Sequence, residues 1–139
     1  MKKDIVFDPV EGVSVTVVPD DNVAEASENQ LGWQVYLLNH NDFALQNVIV
    51  SSNGYGVDPE GEPIRTSTLR HVILEVEPRS AALIEPIDPA LFHLNNQYWV
   101  SYYVDSKIFD KKFIFVPDSI VADNLTHIAL LERPGVLHS

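Results

Sequence analysis

Apolar and polar residues alternate most clearly between residues 31 and 56, LGWQVYLLNHNDFALQNVIVSSNGYG. Trp33, Val35 and Leu37 fall on one side of an extended segment, and Gln34, Tyr36 and Leu38 on the other. Val48 and Val50 resume the spacing after a polar turn at 39–42. A period of two sends successive side chains to opposite faces of a strand. The pattern therefore predicts a hairpin, residues 31–38 and 45–52, with one face in a core around Trp33. Its loop, NHNDFA, is rich in residues that bond their own backbone and accept left-handed dihedrals.

The same reading extends along the chain. Residues 1–12 are polar, which predicts a surface segment or a late edge pairing. Val13, Val15 and Val17 alternate with Ser14 and Thr16, a first strand that stops at Pro19. DDNVAEASENQ, 20–30, has no period and reads as a loop, with at most a helical turn in AEASEN. Residues 53–63, NGYGVDPEGEP, hold three glycines and two prolines, which predicts a long exposed loop. In TSTLRHVILEV, 66–76, Val72, Leu74 and Val76 form the expected inward face, leaving His71 and Ile73 outside. A shorter strand at 80–84 ends at Pro86. Asp88 is a good N-cap and Pro89 suits a first helical position, so 89–94 reads as one or two helical turns. Leu91, Phe92 and Leu94 then cover one open end of the core.

QYWVSYYV, 97–104, places Tyr98, Val100, Tyr102 and Val104 on one face and Trp99 and Tyr103 on the other. Apolar groups on both faces predict a central strand. A turn within 105–112 returns the chain through 113–116, and Lys107, Lys111 and Lys112 guard an edge against stray pairing. The tail, 118–139, is too apolar for disorder but follows neither period. It is expected to pack across the sheets, with one more strand at 126–131.

Seven to eight short strands with turn signals between them and one short helix near 88–95 define an all-β class. The expected architecture is an antiparallel β-sandwich of immunoglobulin-like kind, with a small barrel as the competing arrangement. One domain spans 1–139, its sheet core over 13–117. A chain of 139 residues buries a core without staples. Absence of cysteine excludes disulfides, thiolate metal sites and cysteine nucleophiles, and leaves the compartment open. The opening MKKDIVFDPVEG puts no apolar run behind its two lysines, so no secretory leader is expected there. No stretch approaches eighteen apolar residues.

Net charge is −11, with residues 1–62 holding eleven acids and two bases. Such a surface repels phosphate backbones and anionic membranes, so neither nucleic acid nor membrane is an expected partner. It serves solubility, or the docking of a basic partner.

Candidate chemistry is sparse. No two of His40, His71, His93, His127 and His138 stand at ligand spacing. Asp58, Glu60 and Glu62 are oxygen ligands for a hard cation such as calcium, but the EF-hand pattern is absent. No GxSxG elbow occurs, Ser51, Ser52 and Ser119 lack a local base, and no phosphate-binding glycine motif is present. Neither a cofactor nor an enzymatic activity is expected. Tyr36, Tyr55, Trp99 and Tyr103 are the candidate interaction residues, since aromatic rings are enriched at interface centres. The leading expectation is a protein-interaction module, with an edge-strand homodimer compatible with it. The alternative is a small-ligand or cation-binding domain using the 53–63 loop, its site at an open end walled by that loop and the 86–96 segment.

LLNHNDFALQNVIVSSNGYG, RTSTLRH, LNNQYWVSYYVDSKIFDKKFIFVPDSI and LLERPGVLH together resemble a family of short, uncharacterised bacterial proteins, some labelled as related to phenylalanyl-tRNA synthetase. The resemblance covers most of 31–138. It implies a cytoplasmic setting and carries over no catalytic residue. The chain holds no class II ATP-binding motif and is far too short for that catalytic domain.

Overall fold

The computed structural model describes residues 9–20 and 32–139. Ten strands run through them: β1 (Val13–Pro19), β2 (Trp33–Asn39), β3 (Leu45–Val57), β4 (Pro63–Arg65), β5 (Leu69–Val76), β6 (Ser80–Ile87), β7 (Asn95–Val104), β8 (Lys107–Phe115), β9 (Leu125–Ile128) and β10 (Arg133–His138). Most of the expected loop over 20–30, and most of the surface segment over 1–12, lie outside the described residues.

The strands form two antiparallel sheets. One has the order β6-β2-β1-β10-β9. The other has the order β4-β3-β7-β8, with β5 on the same side of β3 as β4. Val15, Val17, Val35 and Leu37 from the first sheet face Val48, Val50, Val100 and Phe113 from the second, all of them buried. The fold is thus an all-β antiparallel sandwich. Pairing of β2 with β6, and of β3 with β7 and β7 with β8, is the immunoglobulin-like arrangement. Trp33 lies in the core, 7% exposed, edge-on to Phe92 at 5.3 Å.

The expected hairpin of 31–38 with 45–52 does not form. β2 pairs with β1 and β6, while β3 lies in the opposite sheet. The segment between them crosses the sandwich, and Asn39 anchors the crossing. Its buried amide donates to Phe43 O (2.9 Å) and Glu77 O (3.0 Å) and accepts from Asn41 N (3.1 Å). Alternation reports which face of a strand is buried and says nothing of its partner.

Three further expectations are corrected. Residues 53–57 continue β3, so only the turn at 58–62 remains of the long loop. Gly54 and Gly56 pair in the sheet, and Leu94 packs over them where a Cβ at Gly56 would meet Leu94 Cδ2 at 3.0 Å. In β5, His71 and Ile73 pair with the inward Val50 and Val48, while Val72 and Leu74 are 63% and 75% exposed. The face switches because β3 is irregular opposite: Asn47, at φ 49°, separates the inward Leu45 and Val48. The tail does not cross the sandwich. It forms two strands, and β10 extends the first sheet along β1, with Thr16 opposite Leu137 and Val17 opposite Val136. The helix near 88–95 is a single 3-10 turn, Pro89–Leu91, in which Ala90 N donates to the side chain of the predicted cap Asp88 at 2.9 Å.

Candidate functional site

β6 carries a bulge. Val35 opposes Glu85 and Tyr36 opposes Leu83, so Ile84 is an extra residue. The consequence is that Ile84 and Glu85 are both turned into the sandwich, at 7% and 9% exposure. A buried carboxylate is costly unless hydrogen-bonded, and three side chains of the opposite sheet meet this one. Ser52 Oγ donates to Glu85 Oε1 at 2.8 Å. His71 Nε2 lies 2.6 Å from the same oxygen. Tyr98 OH donates to Oε2 at 3.1 Å. The placement follows from register, because Ser52 and Tyr98 are direct cross-strand neighbours on β3 and β7 and His71 opposes Val50. Burial pushes the Tyr98 phenol well above its ordinary value, and the charge and hydrogen bond of Glu85 push it further. Tyr98 therefore stays a donor.

Ser52 and His71 bond the same carboxylate oxygen, and the serine hydroxyl is committed to Glu85. The order of nucleophile, base and orienting acid that hydrolytic triads require is not built here.

Ser52, Glu85 and Tyr98 of this cluster line a cleft of about 590 Å³ at the end of the sandwich where β2 begins and β6 finishes. Both sheets contribute to its lining, β2 and β6 from one and β3, β5 and β7 from the other. Trp33, Leu69, Pro86, Ile87, Pro89 and Leu91 make its apolar walls, and Ser52, Glu85, Asn96 and Tyr98 its polar floor. The size and the ratio of apolar wall to converging polar groups are those of a small-molecule site. It draws on Asn53 and Gly54 and on 86–91, parts of the two segments expected to wall an open end.

The four candidate interaction residues divide between the sheets. Tyr55, Trp99 and Tyr103 project from the outward face of the β3–β7 pair, with Trp99 and Tyr103 each 41% exposed. Lys112 Nζ sits 4.5 Å from the Trp99 ring, and the indole donates to Asp110. Tyr36 is half-buried on the other sheet, opposite Leu83. The acidic turn is organised by Asp58, whose Oδ1 accepts from Glu60 N (2.9 Å) and Glu62 N (2.8 Å). Among the described residues, no three His, Asp or Glu side chains group closely enough to hold a metal ion. No helix among them is long and apolar enough to cross a membrane.

Sequence reasoning missed Glu85, the inward His71 and the partner of Ser52. One signal was available: in AALIEPI a lone acid interrupts an apolar strand just before a proline. No protein-family model matches this chain, and no curated protein matches it.

Proposed function

We propose that this protein is a non-catalytic, cytoplasmic binding domain that takes a small ligand in the cleft lined by both sheets. The observation that carries this is a cavity of about 590 Å³ whose apolar walls converge on a hydrogen-bonded polar floor. The non-catalytic reading rests on Ser52 and His71 both bonding Glu85. The cytoplasmic placement rests on the resemblance to short bacterial proteins, and fractionation of the native cells tests it. The two tryptophans make a direct assay of the cleft. Trp33 lines it and Trp99 lies on the outward face of the other sheet, so Trp99→Phe leaves one reporter. Fragments of mixed charge, screened against this variant, are expected to change Trp33 emission and to shift the amides of Ser52, Gly54 and Leu69. Hits whose shifts map away from those amides sink the reading.

A second reading, a protein-interaction module, is favoured by the outward face of the β5-β3-β7-β8 layer. Ile49, Val72, Trp99, Tyr103 and Ile108 are all at least 40% exposed there. Register places Arg70, Ser51, Trp99 and Lys112 in one row across the sheet, and Glu75, Gln46 and Tyr103 in another on the far side of Ile49. A two-fold axis through Ile49 sets the basic row of one copy over the acid-ended row of a second, so the partner read here is another copy of the chain. Light scattering after size exclusion is expected to give a dimer that Trp99→Ala with Tyr103→Ala converts to monomer. A monomer for the unmodified chain removes this reading.

A further inference from the structure

The floor of the cleft has its hydrogens turned inward. Ser52 and Tyr98 donate their hydroxyl hydrogens to Glu85. Asn96 donates its amide group to Leu91 O (2.9 Å) and Leu94 O (3.2 Å), so the side-chain atom left for the cleft is its acceptor Oδ1. The backbone N–H of Gly54 donates to Thr66 Oγ1 at 2.7 Å, and Thr66 donates onward to Ser67 O at 3.1 Å. What these groups offer an incoming molecule is lone pairs. A carboxylate has about four lone-pair sites, and Glu85 has three partners, so acceptor capacity remains on the buried acid itself.

The charges have the same sign. Glu85 and Asp88 are the charged side chains in the lining, and neither Lys nor Arg contributes to it. The walls are apolar and include the Trp33 ring, a surface that accepts alkyl or aryl groups and favours cations over anions.

We propose that the cleft binds a small organic cation: a protonated amine carrying an alkyl or aryl body, its ammonium on the acceptor floor at Glu85 and Asn96 and its body against Trp33, Leu69 and Pro86. This rests on the reading of the cleft as a ligand site and adds the ligand's chemistry. A neutral isostere presents one donor where an ammonium presents three. An anion meets two carboxylates and neither Lys nor Arg in the lining.

The test uses the Trp99→Phe variant and three probes of one shape: 2-phenylethylammonium, 2-phenylethanol and 3-phenylpropanoate. Trp33 emission and amide shifts are read together. The ammonium is expected to bind about tenfold or more tighter than the alcohol, as charge-assisted bonds in a buried site are roughly twice as strong as neutral ones. The carboxylate is expected to give no cleft signal. Alcohol and ammonium binding equally in the cleft overturns the cation assignment and leaves the cleft reading standing. No probe perturbing Trp33 or the cleft amides overturns both. Glu85→Gln removes the charge while keeping the side chain's shape and one acceptor oxygen for Ser52 or Tyr98, and is expected to abolish the ammonium's advantage. Should that variant fail to fold, Asp88→Asn at the exposed rim is expected to reduce the advantage by about two- to threefold, as partly solvated charges do. An advantage unchanged in whichever variant folds overturns the assignment.

Discussion

Asn39 has no exposed surface and joins two crossings between the sheets. Its amide bonds carbonyls at Phe43 and Glu77, which belong to the β2–β3 and β5–β6 connections, and its oxygen holds Asn41 N. Removing it leaves several backbone groups without partners in a place water does not reach. Asn39→Ala is expected to lower unfolding stability by about 2–3 kcal/mol, the desolvation cost of such orphaned groups. Asn39→Asp should cost more, because a carboxylate then faces carbonyl oxygens instead of donating to them. Urea denaturation ranks the two; an aspartate as tolerated as the alanine contradicts the assigned roles. The tyrosines give a second test at this scale. Tyr102 is 2% exposed, and burial pushes its phenol up to about 12. A phenol whose folded value lies above the unfolded value of about 10 keeps its proton longer in the folded state. Its contribution is therefore full below about pH 10 and is lost as pH rises through about 12. The urea midpoint should fall across that window, and Tyr98, raised further by burial and Glu85, should not ionise before the chain unfolds. Tyrosinate absorbance appearing for all five tyrosines near pH 10 in folded protein sinks this.

Single strands were legible in the sequence and their partners were not. Trp33, Val35 and Leu37, and Tyr98, Val100 and Tyr102, alternate as written and are buried as their period requires. The hairpin assigned to the segments around 39–42 failed because two strands of opposite sheets carry the same alternation as two strands of one. The inward face of β5 was misassigned because the irregularity that switches it lies on β3, at Asn47, in a different stretch of sequence. The tail was opaque because Pro134 and Gly135 interrupt the period of β10. Gly135 is there for space. A Cβ would lie 2.5 Å from Thr16 Oγ1 and 3.0 Å from both Ile128 Cγ1 and Val18 Cγ2. Gly135→Ala is expected to destabilise by about 1–3 kcal/mol, as overpacking does. It should also raise hydrogen exchange along β10 ahead of β3. Unaltered β10 protection would mean the tail accommodates the methyl and is looser than this packing.

At the scale of the whole molecule, the hydrophobic core between the sheets gives way to buried side-chain hydrogen bonds at one end, where Glu85 crosses from the β6-β2-β1 sheet to Ser52, His71 and Tyr98 of the other. Ser52, Glu85 and Tyr98 of this polar joint line the cleft. The candidate site escaped sequence reasoning because its members come from four strands of two sheets, and only the bulge at Ile84 turns the acid inward. If the joint ties the sheets together, its two ends are energetically coupled across the sandwich. A double-mutant cycle with Glu85→Gln and Tyr98→Phe should give a coupling of about 1–3 kcal/mol, in the range of buried contacting pairs. The same cycle on the surface pair, Trp99→Phe with Asp110→Asn, joins two strands of one sheet and should give under about 0.5 kcal/mol, as exposed contacts do. Couplings of equal size would make the Glu85 cluster an ordinary polar contact. A large buried coupling beside a small surface one makes it the joint on which the cleft is built, and a ligand seated there binds both sheets at once.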